Sequence, residues 1–326
     1  MHDRARDIIE KIKAQGWEGD VFAFVEERIE VQGGWEARLI SGREVGFSTR
    51  WKKERSGIFF HFSPSPTVNF NHGFIIGENW ELRLPSYIKK TSVKLRDERG
   101  LPYGEELEFP AWIDELRGRE RKVLLMNTRG GEASYAESLY SFKASLHEEE
   151  FWVWSRRRDF PLTLRGNGGR NLVLHPLASF KLVKLILSGK TNLKGAEFTI
   201  EEDPSLDFGP GSFPFDASGR EMKKRVIFKK GKIKARKPIH LLRPAPQSPP
   251  VTGWTNIVLK VPTASSPSFT LVVNLRFYGE ITQLVLEDGR EREMKTENLL
   301  RSICGKIQEG FFIGPPFIKS DYLLLS

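Results

Sequence analysis

Leu172-Val173-Leu174-His175-Pro176-Leu177-Ala178-Ser179-Phe180 reads as a short buried strand running straight into a helix. Three branched apolar residues in a row suit a strand covered on both faces. Pro176 fits the first helical position, where the N–H that it lacks would have no partner. Phe180, Val183, Lys184 and Leu187 then follow at helical spacing, and Gly189 marks the stop.

Downstream of this junction the pattern is mostly strands, over 198–201, 224–229, 232–235, 256–260, 268–275, 280–286 and 322–325. Lys229-Lys230-Gly231 makes a hairpin turn, and the Pro-rich stretch 244–250 cannot pair inside a central sheet. A helix is predicted over 296–308. Upstream, Ile8, Ile9 and Ile12 share one face of a helix over 4–15 that Gly16 ends. Strands follow over 20–29, 35–40, 44–51 and 57–62, with turns at Gly33-Gly34 and Lys52-Lys53-Glu54-Arg55. Five prolines punctuate 63–110, which reads as a linker or poorly formed region. A helix over 111–119 is followed by strands over 122–127, 134–146 and 149–156. The Gly-rich run Arg165-Gly166-Asn167-Gly168-Gly169-Arg170 looks like a boundary. The expectation is an α+β chain. Residues 1–165 would form an N-terminal domain of one helix and an antiparallel sheet, and 166–326 a strand-rich C-terminal domain with a few helices.

The composition narrows the class. Of 326 residues 39% are hydrophobic, with 8 Trp and 23 Phe, enough for substantial cores and against overall disorder. No stretch approaches the ~20 apolar residues of a membrane span. Met1 to Asp7 leads into an amphipathic helix, not an apolar signal core. The single cysteine, Cys304, excludes an internal disulfide and a Cys-rich zinc site. A cytoplasmic location is the expectation. The net charge is +9, and nine of the fifteen residues 223–237 are Lys or Arg. Such a stripe could follow a phosphate backbone, but a solvated hairpin face is the favoured reading.

Several short segments resemble the TldD/PmbA family (TldE is another name for PmbA). The junction 172–180 looks like the strand-to-helix entry of that family's C-terminal domain. Thr199-Ile200-Glu201-Glu202-Asp203-Pro204 is similar to its acidic Asp-Asp-Pro turn. Ser212-Phe213-Pro214-Phe215-Asp216-Ala217-Ser218-Gly219 resembles its Tyr/Phe-Asp-Asp-Glu-Gly turn. A hairpin over 226–233 and the Thr255-Asn256 step follow in the family's order. In the first half, Gly46-Phe47-Ser48-Thr49-Arg50 with Arg55-Ser56-Gly57-Ile58-Phe59 is similar to its paired strands. The resemblance is to a short, divergent member. In physical terms Asp203-Pro204 and Asp216-x-x-Gly219 are turn chemistry.

The resemblance implies one of two subunits. TldD-like chains carry His-Glu-x-x-x-His on a helix, two histidines for zinc and a glutamate to activate water. TldE-like chains lack it, and the pair processes peptides in a shared cleft. Here His175 is present, but Pro176 stands for the glutamate and Phe180 for the second histidine. His147-Glu148-Glu149-Glu150-Phe151-Trp152 begins like the motif and has no second histidine at Trp152. Cys304-Gly305-Lys306 echoes a zinc-ligand step of TldD-like chains, but reads as a small buried hydrophobe inside the last helix. His175 and Cys304 would be too few ligands for a catalytic zinc. Neither a nucleophile elbow nor a phosphate loop is present.

No catalytic, cofactor or metal residue is therefore assigned, and no cofactor. The expected role is a TldE-like non-catalytic subunit of a peptide-processing metallopeptidase complex, with a TldD-like partner, a peptide in a shared cleft, and 268–275 as a candidate wall. A homodimer is a further expectation. The alternatives are an independent metallopeptidase with an unrecognised site at His175, His147 or Cys304, and a nucleic-acid-binding protein using 223–237.

Overall fold

The structure is a computed structural model and describes residues 1–326 except 33–37, 54–57, 66–69, 71, 72, 78–81, 83, 103–106, 147, 148, 190, 192, 244 and 246. The expected Gly33-Gly34 turn, the Glu54-Arg55 end of the polar turn and His147-Glu148 lie outside the described residues.

The N-terminal half is one helix on an antiparallel sheet. Helix α1 (His2–Ala14) buries Ala5, Ile8, Ile9 and Ile12 and ends before Gly16 at φ +71°. The strands are β1 (Glu18–Gln32), β2 (Arg38–Lys52), β3 (Ile58–Ser63), β4 (Phe74–Gly77), β5 (Ile113–Asn127), β6 (Glu132–Leu146) and β7 (Glu149–Ser155). They lie in the order β4-β3-β2-β1-β5-β6-β7, each neighbouring pair antiparallel. Side chains alternate between the faces of a strand. Val21, Ala23, Leu124 and Met126 thus meet α1 on one face, while Phe22, Phe24, Val123 and Leu125 meet Phe215 and Ile88 on the other. This sheet is covered on both sides.

In the second half, β8 (Asn171–Leu174) leads into α2 (Pro176–Leu187), as the opening junction requires. Then come β9 (Thr199–Glu202), β10 (Arg225–Lys229), β11 (Lys232–Ile233), β12 (His240–Leu242), β13 (Val251–Gly253), β14 (Asn256–Lys260), β15 (Phe269–Tyr278), β16 (Ile281–Leu286), β17 (Glu291–Lys295), α3 (Thr296–Ser302), β18 (Ile303–Ile313) and β19 (Phe317–Leu325). Strand β19 is the hub. It pairs with β18 on one edge and, on the other, with β14 near its start and β8 near its end. Strands β15, β16 and β17 continue from β8, and β9, β10 and β11 continue from β14. The short contact of β18 with β7 joins this sheet to the first. The main core lies under α2, where Ala178, Leu182, Val183 and Ile186 pack on Val272, Leu275, Ile318 and Leu323. The α+β expectation stands.

Four local readings change. Of the expected helix 111–119, residues 113–119 are strand: Arg117, Arg119 and Arg121 reach carboxylates within or across the sheet, so the polar spacing is that of ion pairs and not of a helix surface. Only 296–302 of the predicted C-terminal helix is helical. Leu299, Ile303 and Ile307 have helical spacing, but β18 meets β19 with register shifts that break the alternation expected of a strand. Residues 38–52 form one strand with irregular pairing, not two. Finally, the described part of 63–110 is ordered, with β4 and with Leu82, Leu84, Ile88, Leu95 and Leu101 buried.

Candidate functional site

The two acidic turns set the local geometry. Asp203 Oδ1 accepts from the Ser205 amide at 3.0 Å and the Ser205 hydroxyl at 2.7 Å, a turn built by its own side chain. Burial would raise this carboxyl, but the bonds from Ser205 and Lys224 outweigh it and hold the group below its ordinary value. Asp216 Oδ1 accepts from the amides of Ser218 and Arg220 at 2.9 and 3.0 Å and from the Ser218 hydroxyl at 2.6 Å. Gly219 closes that turn at φ +82°, and a Cβ there would sit 3.0 Å from Ile88. Glycine is required at that spot.

Between the turns, residues 205–215 are clamped from two sides. Asn256 donates to the Asp203 carbonyl at 2.9 Å and the Ser212 hydroxyl at 2.7 Å, and accepts from the Gly211 amide at 2.8 Å. On the opposite side, Arg156 donates to the carbonyls of Gly209 at 2.8 Å and Ser212 at 2.6 Å. Its Nη1 bonds Glu137 at 2.7 Å, and Glu137 also binds Arg121. All three charged groups are at least 96% buried. Burial pushes the Glu137 carboxyl up, yet Arg121, Arg156 and Arg119 together hold it well below the carboxylate range.

Beside this clamped loop runs an extended segment with strict alternation. Thr91, Val93, Leu95 and Asp97 turn inward, while Ser92, Lys94, Arg96 and Glu98 are exposed. It is stitched to its surroundings at intervals: the Thr91 amide to the Pro214 carbonyl at 2.8 Å, the Phe208 amide to Lys94 at 2.8 Å and the Ser138 amide to Leu95 at 3.0 Å. Asp97 accepts from Arg99 and from the Arg158 amide. Burial opposes its ionisation, but those bonds prevail and bring its pKa to about 2. Between the segment and Phe208, Pro214 and Arg157 lies an open groove of about 930 Å³, floored by Tyr135 and Ala136. A second recess of about 310 Å³ shares Arg96 and Ala136 and continues toward Glu27, Glu120 and Lys122. Burial raises the Tyr135 phenol above its usual value, so it stays neutral. The arrangement can hold an extended chain. Within the groove lining no nucleophile is hydrogen-bonded to a base.

In a small recess that it lines with Phe22, Tyr135 and Phe215, Arg243 lies over Phe22, 4.4 Å from the ring centre, and its Nη1 donates to Ser48 and the Ser248 carbonyl. Burial, with Arg50 nearby, lowers its pKa to about 9, which leaves it charged at neutral pH.

The residues singled out as possible ligands do not converge. His175 is 1% exposed and caps α2, its Nδ1 accepting from the Leu177 amide at 3.1 Å. Its ring meets Tyr322 edge-on at 5.5 Å. Cys304 is the second residue of β18, not part of a helix, and is exposed, which corrects the buried reading. Among the described residues no group of three His, Cys, Asp or Glu could hold a metal ion. The candidate wall 268–275 is largely buried and bonded to both β8 and β16, so it offers little open edge to a peptide. Sequence reasoning missed Arg156, Glu137 and the 91–98 segment. The alternation of Val93 and Leu95 with Lys94 and Arg96 was the available signal.

The profile of the PmbA/TldA metallopeptidase C-terminal domain matches residues 187–236. No curated protein matches in sequence. Among solved structures, a Bacteroides thetaiotaomicron protein described as a candidate modulator of DNA gyrase aligns at TM-score 0.60 and 12% identity, over 100% of this chain and 97% of that one. A Thermotoga maritima protein described in the same way gives 0.57 and 11%, over 99% and 98%. TldE from Thermococcus kodakarensis gives 0.56 and 13%, over 99% and 98%. The chain thus shares its fold with these three structures over nearly its whole length, and its residues 187–236 match the PmbA/TldA metallopeptidase C-terminal domain.

Proposed function

We propose that this chain is a TldE-like, non-catalytic subunit that shapes a peptide cleft for a TldD-like metallopeptidase partner. One observation carries the reading. At the helix entry where a metallopeptidase subunit would carry His-Glu-x-x-x-His, this chain has His175-Pro176-Leu177-Ala178-Ser179-Phe180, and His175 is committed to capping α2. A buried imidazole whose Nδ1 holds a helix amide has a structural task. The groove along 91–98 supports the second half of the reading. An extended segment beside an open groove can hold a peptide alongside it, with side chains seated alternately. The groove forms where the two proposed units, 1–165 and 166–326, meet. The proposed setting is the cytoplasm; no helix among the described residues is long and apolar enough to cross a membrane.

The test is to mix the purified chain with a TldD-like chain. Co-elution as one larger species, with peptide cleavage by the partner changed by this chain, is the expected result. Separate elution and unchanged cleavage would sink the proposal.

A further inference from the structure

The whole net charge of the protein sits on one hairpin. The chain has 51 Lys plus Arg against 42 Asp plus Glu. Residues 223–237 hold nine of those cations and no acid; without them, 42 cations face 42 acids, and the remainder is neutral. Two of the nine are used by the fold. Lys224 pairs with Glu201 and Asp203, and Arg225 pairs with Glu202 beneath Trp254. The other seven, Lys223, Lys229, Lys230, Lys232, Lys234, Arg236 and Lys237, are exposed and make no ion pair with the described residues. The hairpin is anchored from below by Ile227 and Phe228, both buried. Its outer strand β11 pairs only with β10 among the described strands. One or two lysines suffice to keep such an edge from pairing with another chain; seven exceed that need.

We infer that this hairpin is a docking surface for the phosphate backbone of duplex nucleic acid, bound without regard to sequence. Three observations select this occupant. Six of the seven free cations are lysines, which the cores of protein–protein interfaces disfavour but phosphate backbones accept. The exposed large apolar residues here are Ile233 and Ile239 alone, too few for the apolar face with which a helix or hairpin enters a membrane. No exposed aromatic lies on the hairpin to stack on single-stranded bases. The surface lies outside the groove residues, so it adds a second binding partner to the protein and does not depend on the peptide reading.

Each neutralised phosphate releases counterions, so the salt dependence counts the contacts. The experiment titrates the full chain against a fluorescent duplex of mixed sequence at several salt concentrations, by anisotropy. Seven contacts predict a slope of log K against log salt near about −6. The variant K229Q/K230Q/K232Q/K234Q should flatten it to about −3, since four contacts go. Its urea midpoint should match the wild type, because these four side chains are exposed and make no ion pair with the described residues. A scrambled duplex should bind equally. The inference is overturned by absence of binding at low salt, by an unchanged slope in the variant, or by tighter binding to phosphatidylserine vesicles or polyglutamate than to the duplex.

Discussion

Two regions of this molecule are rich in charge and use it in opposite ways. Around Glu137 the charges are sealed: Arg121 and Arg156 share its carboxylate, and Arg156 spends its remaining donors on the carbonyls that fix 209–212. On the hairpin 223–237 most charges face water and make no ion pair with the described residues. A buried ion must be paired, or its desolvation is not offset. An exposed one is nearly neutral for folding and free to serve recognition. Residue type alone does not distinguish the two, but burial does.

The comparison yields graded expectations. Glu137→Ala leaves two buried guanidiniums short of a partner and should destabilise by about 3–5 kcal/mol, read from urea unfolding. Asn256→Ala takes the acceptor from the Gly211 amide and a donor from the Asp203 carbonyl and the Ser212 hydroxyl, and should cost about 2–3 kcal/mol, with the loop 205–215 losing hydrogen-exchange protection first. His175→Ala removes the cap of α2, for about 1–2 kcal/mol. Lys230→Gln should stay within about 0.5 kcal/mol of wild type. If the lysine variant unfolded as easily as the glutamate variant, the contrast between the regions would be lost.

Acid sharpens the same contrast. Glu137 and Asp97 are held below their unfolded values, so their contribution is complete above the unfolded carboxylate pKa and disappears as pH falls through the folded one. For Asp97 that window runs from about 4 down to about 2. The urea midpoint should therefore drop on acidification below about pH 5. Asp97→Asn should flatten that drop, while the hairpin variants, which alter no carboxylate, should follow the wild-type curve.

Much of the architecture was legible from local rules. The 172–187 junction, the strands on either side of Arg129-Gly130-Gly131 and the two acidic turns follow from apolar period and turn chemistry. What escaped was non-local. Arg119 and Arg121 look like solvent-facing residues until β1 and β6 place Glu26 and Glu137 beside them. Ile303 and Ile307 keep helical spacing because register shifts in β18 displace the strand alternation. The 91–98 segment alternates correctly, yet its partners Phe208 and Pro214 lie more than a hundred residues away. The grooved site was hidden for that reason, whereas the cap at His175 was readable from the residues next to it.

The most direct test of the non-catalytic reading is the zinc content of the purified, dialysed chain by elemental analysis. The account predicts no zinc above background in this chain alone, with the metal found only once a TldD-like partner is present. One zinc retained per chain in the absence of any partner would contradict it and make His175, His147 and Cys304 the first residues to replace.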